Sequence, residues 1–388
     1  MISFELDEEV KGLQDTAKKF AENEIRPKAR DAEKAGKVPE ELNRKYFDLG
    51  VSLIDYPDTV GGMNCPLFWN VVLQEEIGFG DAAVASALCG PCHAGAAVMA
   101  FGTDEQKQRL LAPFAEADAC NKRGAIALLE EDRGQEFSDM KVTAKKKGNS
   151  WEINGKKAFV LGGANADLLV VFARAEKGEG WNGIKAFAVE KGTGGMVVSA
   201  PKRLMGYNAL DVVDVTFDEC AVPAANLLDG EKDTVKGLIK MLDRIKTVEA
   251  ARLLGMARAA TEYAIKYSHE RVAFGKPIGH FQALAFLMAD MATELNAARW
   301  SLWRAADAVD KGMENTHQLV AEAVAQINEM SLFATNNAVQ ILGGHGFIQD
   351  HPVEKWMRDA RTATVLFGAT NLQNLIIARG ESAGAKSA

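Results

Sequence analysis

The 388-residue chain has only five cysteines, Cys65, Cys89, Cys92, Cys120 and Cys220. An odd number of thiols scattered over so long a chain is no disulfide framework and points to a reducing, cytoplasmic setting. Cys89 and Cys92 form a C-x-x-C, but a zinc site needs a second pair and only His93 is near, so no metal is expected. No run of about 18 apolar residues occurs, so no transmembrane helix is expected. Met1 to Glu9 is acidic and lacks an apolar stretch, so no signal peptide is expected there. Positive charge is not in excess: 45 Lys and Arg stand against 53 Asp and Glu, a net charge of −8. The basic face of a sequence-independent nucleic-acid binder is therefore not expected, although local patches for a small anion escape such a sum. Internal repeats are missing, and low complexity is confined to the tail Ala383 to Ala388.

What is present is ordinary for a soluble globular protein, with 47% hydrophobic and 25% charged residues. At about 150 residues per domain, the length suggests two or three domains. The first part reads as helical, with Val10, Leu13, Ala17 and Phe20 at helical spacing and Asp7 as N-cap. Cys65 to Ile77 and Ala82 to Phe101 read as further helices, and Thr103 with Gln106 as a capping box. Near Cys120 the pattern changes to short alternating runs punctuated by Gly148-Asn149, Asn154-Gly155 and Gly194-Gly195, which suggests a β-sandwich or barrel. From Thr234 a helical period returns, rich in Ala, Leu, Met and Glu. The expected domains are 1–120 (helical), 121–233 (β) and 234–388 (helical).

Three C-terminal segments carry the most information: Arg271-Val-Ala-Phe-Gly-Lys-Pro-Ile-Gly-His-Phe-Gln282, Gln340-Ile-Leu-Gly-Gly-His-Gly-Phe347 and Pro352-Val-Glu-Lys-Trp-Met-Arg-Asp-Ala-Arg361. Arg271 offers a fork for phosphate, and Gly343, Gly344 and Gly346 let backbone approach a ligand closely. An ordinary helix–helix turn is the competing reading of the glycines. Together with Glu75-Glu76, Asn154-Gly-Lys156 and the helix–β–helix order, these segments make the chain resemble the FAD-dependent acyl-CoA dehydrogenase family over nearly its whole length. The resemblance implies an α+β fold with an N-terminal helical domain, a middle β-barrel or sandwich and a C-terminal four-helix bundle. It implies FAD and an acyl-CoA thioester as ligands, electron-transfer flavoprotein as acceptor, and a homotetramer or dimer. Arg271, Phe274, Gln282, Gln340, Gly343 and Gly344 match the family's contacts to the adenosine end of FAD, part of which come from the neighbouring subunit.

The reactive end departs from the family pattern. Where a Thr-Glu-Pro-x-x-Gly-Ser-Asp-like loop usually flanks the flavin, this chain has Leu128-Leu-Glu-Glu-Asp-Arg-Gly-Gln-Glu-Phe-Ser-Asp139. Ser138 survives, the proline does not, and Glu130, Glu131 and Asp132 read as a solvated acidic loop. Leu161 replaces the hydroxyl residue that usually meets the flavin. Dehydrogenation needs a base for the alpha proton. Phe367 stands at the usual glutamate position, followed by Gly368, and Ile245-Lys246 at the alternative one. Glu249 lies on the same helix face as Ile245, ~6 Å further along, beside the apolar Val248, Ala250 and Ala251, a setting that raises a carboxylate pKa. A surface salt bridge with Arg252 or Lys246 is the competing reading. The stretch Ala87 to His93 corresponds to the family's acyl-pocket helix, with His93 as second candidate base and Cys89 as pocket residue; Asp243, Lys246, Phe367 and Gly368 complete the expected substrate contacts. Three readings stay open: dehydrogenation of an unusual acyl-CoA, a cyclic one among them, with a relocated base; elimination from an acyl-CoA without net oxidation; and a non-catalytic subunit of a heteromeric enzyme.

Overall fold

The computed structural model describes residues 5–131, 139–176, 180–181 and 183–387. Seven helices open the chain: α1 Glu8–Phe20, α2 Ala29–Ala35, α3 Glu40–Asp48, α4 Leu67–Gly80, α5 Ala82–Ala87, α6 Cys92–Phe101 and α7 Asp104–Leu111. Thr103 and Gln106 close the capping box of α7 in both directions, at 3.2 and 3.0 Å. Asp7 stands at the start of α1 without a side-chain cap bond, and Glu8 and Glu9 supply the negative charge that suits that terminus. The helix expected over Ala82 to Phe101 is broken. Pro91 has no N–H for the ladder, so α5 stops at Ala87 and α6 restarts at Cys92. The break places His93 in the first turn of α6.

The middle region holds β1 Gly124–Ala127, β2 Thr143–Lys147, β3 Ser150–Leu161, β4 Leu168–Arg174, β5 Ile184–Glu190, β6 Met196–Val198, β7 Val212–Pro223 and β8 Leu227–Leu228. The groups β6-β7-β3-β2 and β1-β4-β5-β8 meet at the single register pair Thr143↔Arg174. Alternate residues of both groups, among them Ile153, Phe187, Val213 and Val215, fill the space between them, as in a sandwich. The other face of β4 and β5 (Phe172, Ala186, Ala188) packs with Phe101 of α6 and Leu110 of α7. Strand β4 is therefore covered on both faces and apolar almost throughout.

The helix α8 Thr234–Glu270 spans 37 residues, about 55 Å. A short hairpin, β9 Val272–Ala273 with β10 Lys276–Pro277, leads to α9 Gln282–Lys311, α10 Thr316–Leu342, α11 Val353–Leu366 and α12 Thr370–Ser387. None of the described helices is long and apolar enough to cross a membrane. Helix α8 passes directly over α4. A Cβ on Gly255 would strike the carbonyl of Glu75, and one on Gly78 the backbone of Arg252, so both positions need glycine for the backbones to touch. The crossing is tied by Glu75 and Glu76, which are buried and paired with Arg258 of α8; Glu75 also pairs with Arg299 of α9 at 2.9 Å. It aims one face of α8, carrying Ile245, Glu249 and Arg252, at α5 and α6.

Candidate active site

Glu249 is 1% exposed and meets partners from three segments. Arg252 Nη1 donates to its Oε1 at 2.7 Å, and His93 Nε2 lies 3.0 Å from the same oxygen. Ser86 Oγ donates to Oε2 at 2.6 Å and sits 3.1 Å from the Tyr207 hydroxyl. Since the serine proton goes to Glu249, the tyrosine proton goes to Ser86. The network is anchored at depth. Lys355 of α11 bridges Asp81 and Asp359 at 2.5 and 2.6 Å. Asp81 also caps α5, which carries Ser86, and Asp359 accepts the Tyr207 backbone N–H.

This arrangement reverses the pKa expected for Glu249. Burial pushes the carboxyl up, but Arg252, His93 and Ser86 outweigh it and hold it below the ordinary glutamate range. The apolar sequence neighbours misled because the deciding partners come from α5, α6 and one turn further along α8. The bond to Arg252 forms, but as a buried pair and not the surface salt bridge of the competing reading. With Glu249 ionised and accepting, His93 Nε2 carries its proton toward the carboxylate, which leaves Nδ1 as the ring nitrogen that the carboxylate does not engage.

His93 lies on the wall between two cavities. The first, a cleft of about 800 Å³ counted with its space open to solvent, is mainly apolar. Ile126, Leu128 and Leu161 line it from the β region, Ile245 and Lys246 from α8, and Phe367 and Gly368 from the loop between α11 and α12. The His93 ring meets Phe367 edge-on at 6.1 Å, and Phe367 meets Tyr207 at 5.6 Å. Lys246 is pulled down in pKa by burial and has its Nζ 3.2 Å from Gln373 Oε1. The second cavity, about 580 Å³ counted with its space open to solvent, also has His93 and Ile245 in its lining and is lined by Glu249 and Cys89. Burial pushes the Cys89 thiol up to about 11, which keeps it protonated at neutral pH. Cys89 and Glu249 thus stand off the apolar cavity, as does Asp243, whose carboxylate is 2.7 Å from His317 Nδ1.

The residues expected at the adenosine end gather near the far end of α8. Arg271, Phe274, Gln282, Gln340, Gly343 and Gly344 are all exposed. The Tyr267 hydroxyl, one turn before Arg271, lies 2.7 Å from His345 Nδ1 and so ties α8 to the glycine turn. Phe274 is 96% exposed and has φ +52°, a conformation that costs a bulky residue energy. A Cβ on Gly344 would meet nothing within 4 Å, so packing does not demand glycine there, whereas Gly343 has φ +56°, a conformation that favours glycine however open the space. Ser138 and Asp132 lie outside the described residues. Glu130, expected in a solvated loop, is instead buried. It accepts the Lys141 and Val142 N–H groups and pairs with the buried Lys157 at 2.9 Å. Glu131 pairs with Lys156. Sequence reasoning missed Ser86, Tyr207 and Gln373. Only the buried polar character of Ser86 in an alanine-rich helix hinted at any of them.

A helical region, a β-sandwich and a helical bundle surround an apolar cleft, and on its wall stands His93, paired behind it with the buried Glu249, which defines a ligand-enclosing enzyme fold. Family models for the N-terminal, middle and C-terminal domains of acyl-CoA dehydrogenase match residues 7–118, 125–220 and 238–381. The chain is 35% identical to an acyl-CoA dehydrogenase of Bacillus subtilis, over 93% of this chain and 94% of that one. It is 34% identical to acryloyl-CoA reductase (NADH) of Anaerotignum propionicum, over 97% and 95%. The solved butyryl-CoA dehydrogenase of Megasphaera elsdenii superposes with a TM-score of 0.92 at 30% identity, covering 98% of this chain and 99% of that one. The chain belongs to the acyl-CoA dehydrogenase family and is an oxidoreductase of that family.

Proposed function

We propose that this protein dehydrogenates an acyl-CoA thioester with bound FAD, and that His93, positioned by Glu249, takes the place of the family's glutamate base. The observation that carries this reading is the 3.0 Å pairing of His93 with an ionised, fully held Glu249 at the wall of the apolar cavity. Phe367 and Ile245, at the two positions where the family places its acid, contribute only hydrocarbon to the same wall. The relocated base sets this chain apart from members that keep the glutamate.

The residues fit a flavin dinucleotide. Arg271, the exposed Phe274 and the exposed turn at Gly343-Gly344 offer a cation, an apolar face and a backbone that a ligand can approach closely, which suit a pyrophosphate and its adenosine. Leu161 and Leu128 give the apolar cavity a face from the β region, and Phe367 one from the bundle. When bound, the flavin supplies a hydride acceptor. The chain's own groups do the rest. His93 takes the substrate proton on Nδ1. The Glu249 carboxylate, kept charged by Arg252 and Ser86, stabilises the imidazolium that results. The apolar walls exclude water from the reacting carbons. Exposed Phe274, Phe286, Trp300 and Phe347 are the surface that a homo-oligomer would cover. Electron-transfer flavoprotein is the proposed acceptor.

Purified protein mixed anaerobically with a series of acyl-CoA esters tests the reading. Flavin bleaching and a product two electrons more oxidised are expected. A product formed by elimination, without electron transfer to an acceptor, would replace this reading by a lyase. Normal bleaching in both Glu249→Gln and His93→Ala would end the assignment of the base.

A further inference from the structure

Tyr207, in the loop between β6 and β7, breaks two local rules at once. It holds φ +64°, a left-handed backbone that is unfavourable for a bulky side chain. It is also fully buried, together with a hydroxyl that needs a hydrogen-bond partner there. The backbone is pinned from α11. The Gly206 N–H donates to Thr362 Oγ1 at 3.0 Å and the Tyr207 N–H to Asp359 Oδ1 at 2.5 Å. A Cβ on Gly206 would strike the Arg358 backbone. Held so, the side chain reaches α5, where its hydroxyl lies 3.1 Å from Ser86 Oγ. Residues kept in unfavourable conformations gather at functional sites.

The hydroxyl stands at the end of a directed chain. Burial and the nearby Glu249 charge hold the phenol well above its ordinary value, so it keeps its proton and donates. Ser86 accepts that bond and donates its own O–H to Glu249 Oε2 at 2.6 Å. A hydroxyl that accepts one hydrogen bond is the stronger donor of the next. The chain ends at a fully buried side chain, so it leads no proton to solvent. Around the Glu249–Arg252 pair the other titratable groups are His93 and Cys92 of α6 and Tyr46 of α3. Arg252 stays charged, and burial raises Cys92 and Tyr46 and so keeps them neutral. The imidazole is left as the member of this set whose charge can change. Deeper in, Lys355, Asp81 and Asp359 bond among themselves. Lys246, on the same cavity wall as His93, bonds to Gln373 and is untouched by a change at Ser86.

We infer that Tyr207 is a positioning residue for proton transfer: its hydroxyl, through Ser86, sets how strongly Glu249 draws on the His93 imidazole. This rests on the reading that His93 takes the substrate proton. Stopped-flow bleaching of the flavin-loaded protein by a saturating thioester, followed from about pH 5.5 to about pH 9, reports the proton acceptor in the complex. The rate should fall as pH drops and the imidazole becomes protonated. Without the Ser86 donor, the Glu249 charge bears more fully on His93, which then keeps its proton to higher pH. Ser86→Ala should therefore move the fall upward by about half a pH unit or more. Tyr207→Phe keeps the ring against Phe367 and loses only the hydroxyl. It should move the fall the same way by less, and the double variant no further than Ser86→Ala alone. A Tyr207 that merely fills space gives an unmoved profile in Tyr207→Phe, and that result would overturn the inference. So would a downward shift, or shifts that add in the double variant. If His93→Ala bleaches as fast as the wild type, the assignment of the base falls as well; if His93→Ala is slow and the other profiles coincide with the wild type's, only this inference falls.

Discussion

Arg252→Met should unsettle the site more than any single change at its surface. Arg252 holds a guanidinium 2.7 Å from Glu249, and the two side chains are 14% and 1% exposed. At an effective dielectric of about 20, unit charges about 4 Å apart interact by about 4 kcal/mol. Removing one partner of a buried pair typically costs about 3–5 kcal/mol, because the other charge is left behind. We therefore expect Arg252→Met to cost about 3–5 kcal/mol, and Glu249→Gln somewhat less, since Arg252 keeps Gln74. The double variant should cost less than the sum by about 2–4 kcal/mol, because it leaves neither charge alone. Urea unfolding of the four proteins at neutral pH gives this coupling. A coupling below about 0.5 kcal/mol would refute the claim that Glu249 is held as a buried carboxylate by Arg252.

Three further outcomes follow from the geometry. Glu249 is held below the ordinary value of 4.5, so the stability it contributes is complete above that value and is lost as pH falls through its folded value; urea midpoints should drop more between pH 7 and pH 4 in the wild type than in Glu249→Gln, and equal drops would contradict this. Gly255→Ala drives a methyl into the Glu75 carbonyl at the α4–α8 crossing and should cost about 3 kcal/mol or more by the same assay, against about 1 kcal/mol gained if the site were an ordinary exposed helix position. Arg271→Ala, at an exposed residue, should leave folding intact but weaken FAD retention about ten-fold or more, read as flavin absorbance after dialysis; full retention would remove Arg271 from the cofactor site.

Much of the fold was legible because helix and strand periods are local. The long helices α8, α9 and α10 and the strands β4 and β5 stand close to where their patterns end. The break at Pro91 was visible in the residues, yet the alanine-rich flanks read as one helix. The site was legible in a different degree. Helical spacing from Ile245 pointed to Glu249, and the altered segments pointed to Phe367 and Leu161. The sign of the Glu249 shift was not legible, because Ser86, His93 and Tyr207 reach it only through the packing of α5 and α6 on α8. Glu130 misled for the same reason: its partner Lys157 lies across the sandwich on β3, and three adjacent acids say nothing of it.

The central claim is that His93 accepts the substrate proton. The most direct measurement is the anaerobic stopped-flow rate of flavin bleaching by a thioester that reduces the wild type, repeated with His93→Ala with and without added imidazole. The rate should fall about 10²–10⁴-fold, with flavin content and thioester affinity unchanged and partial recovery with imidazole. A bleaching rate in His93→Ala equal to the wild type's would contradict it.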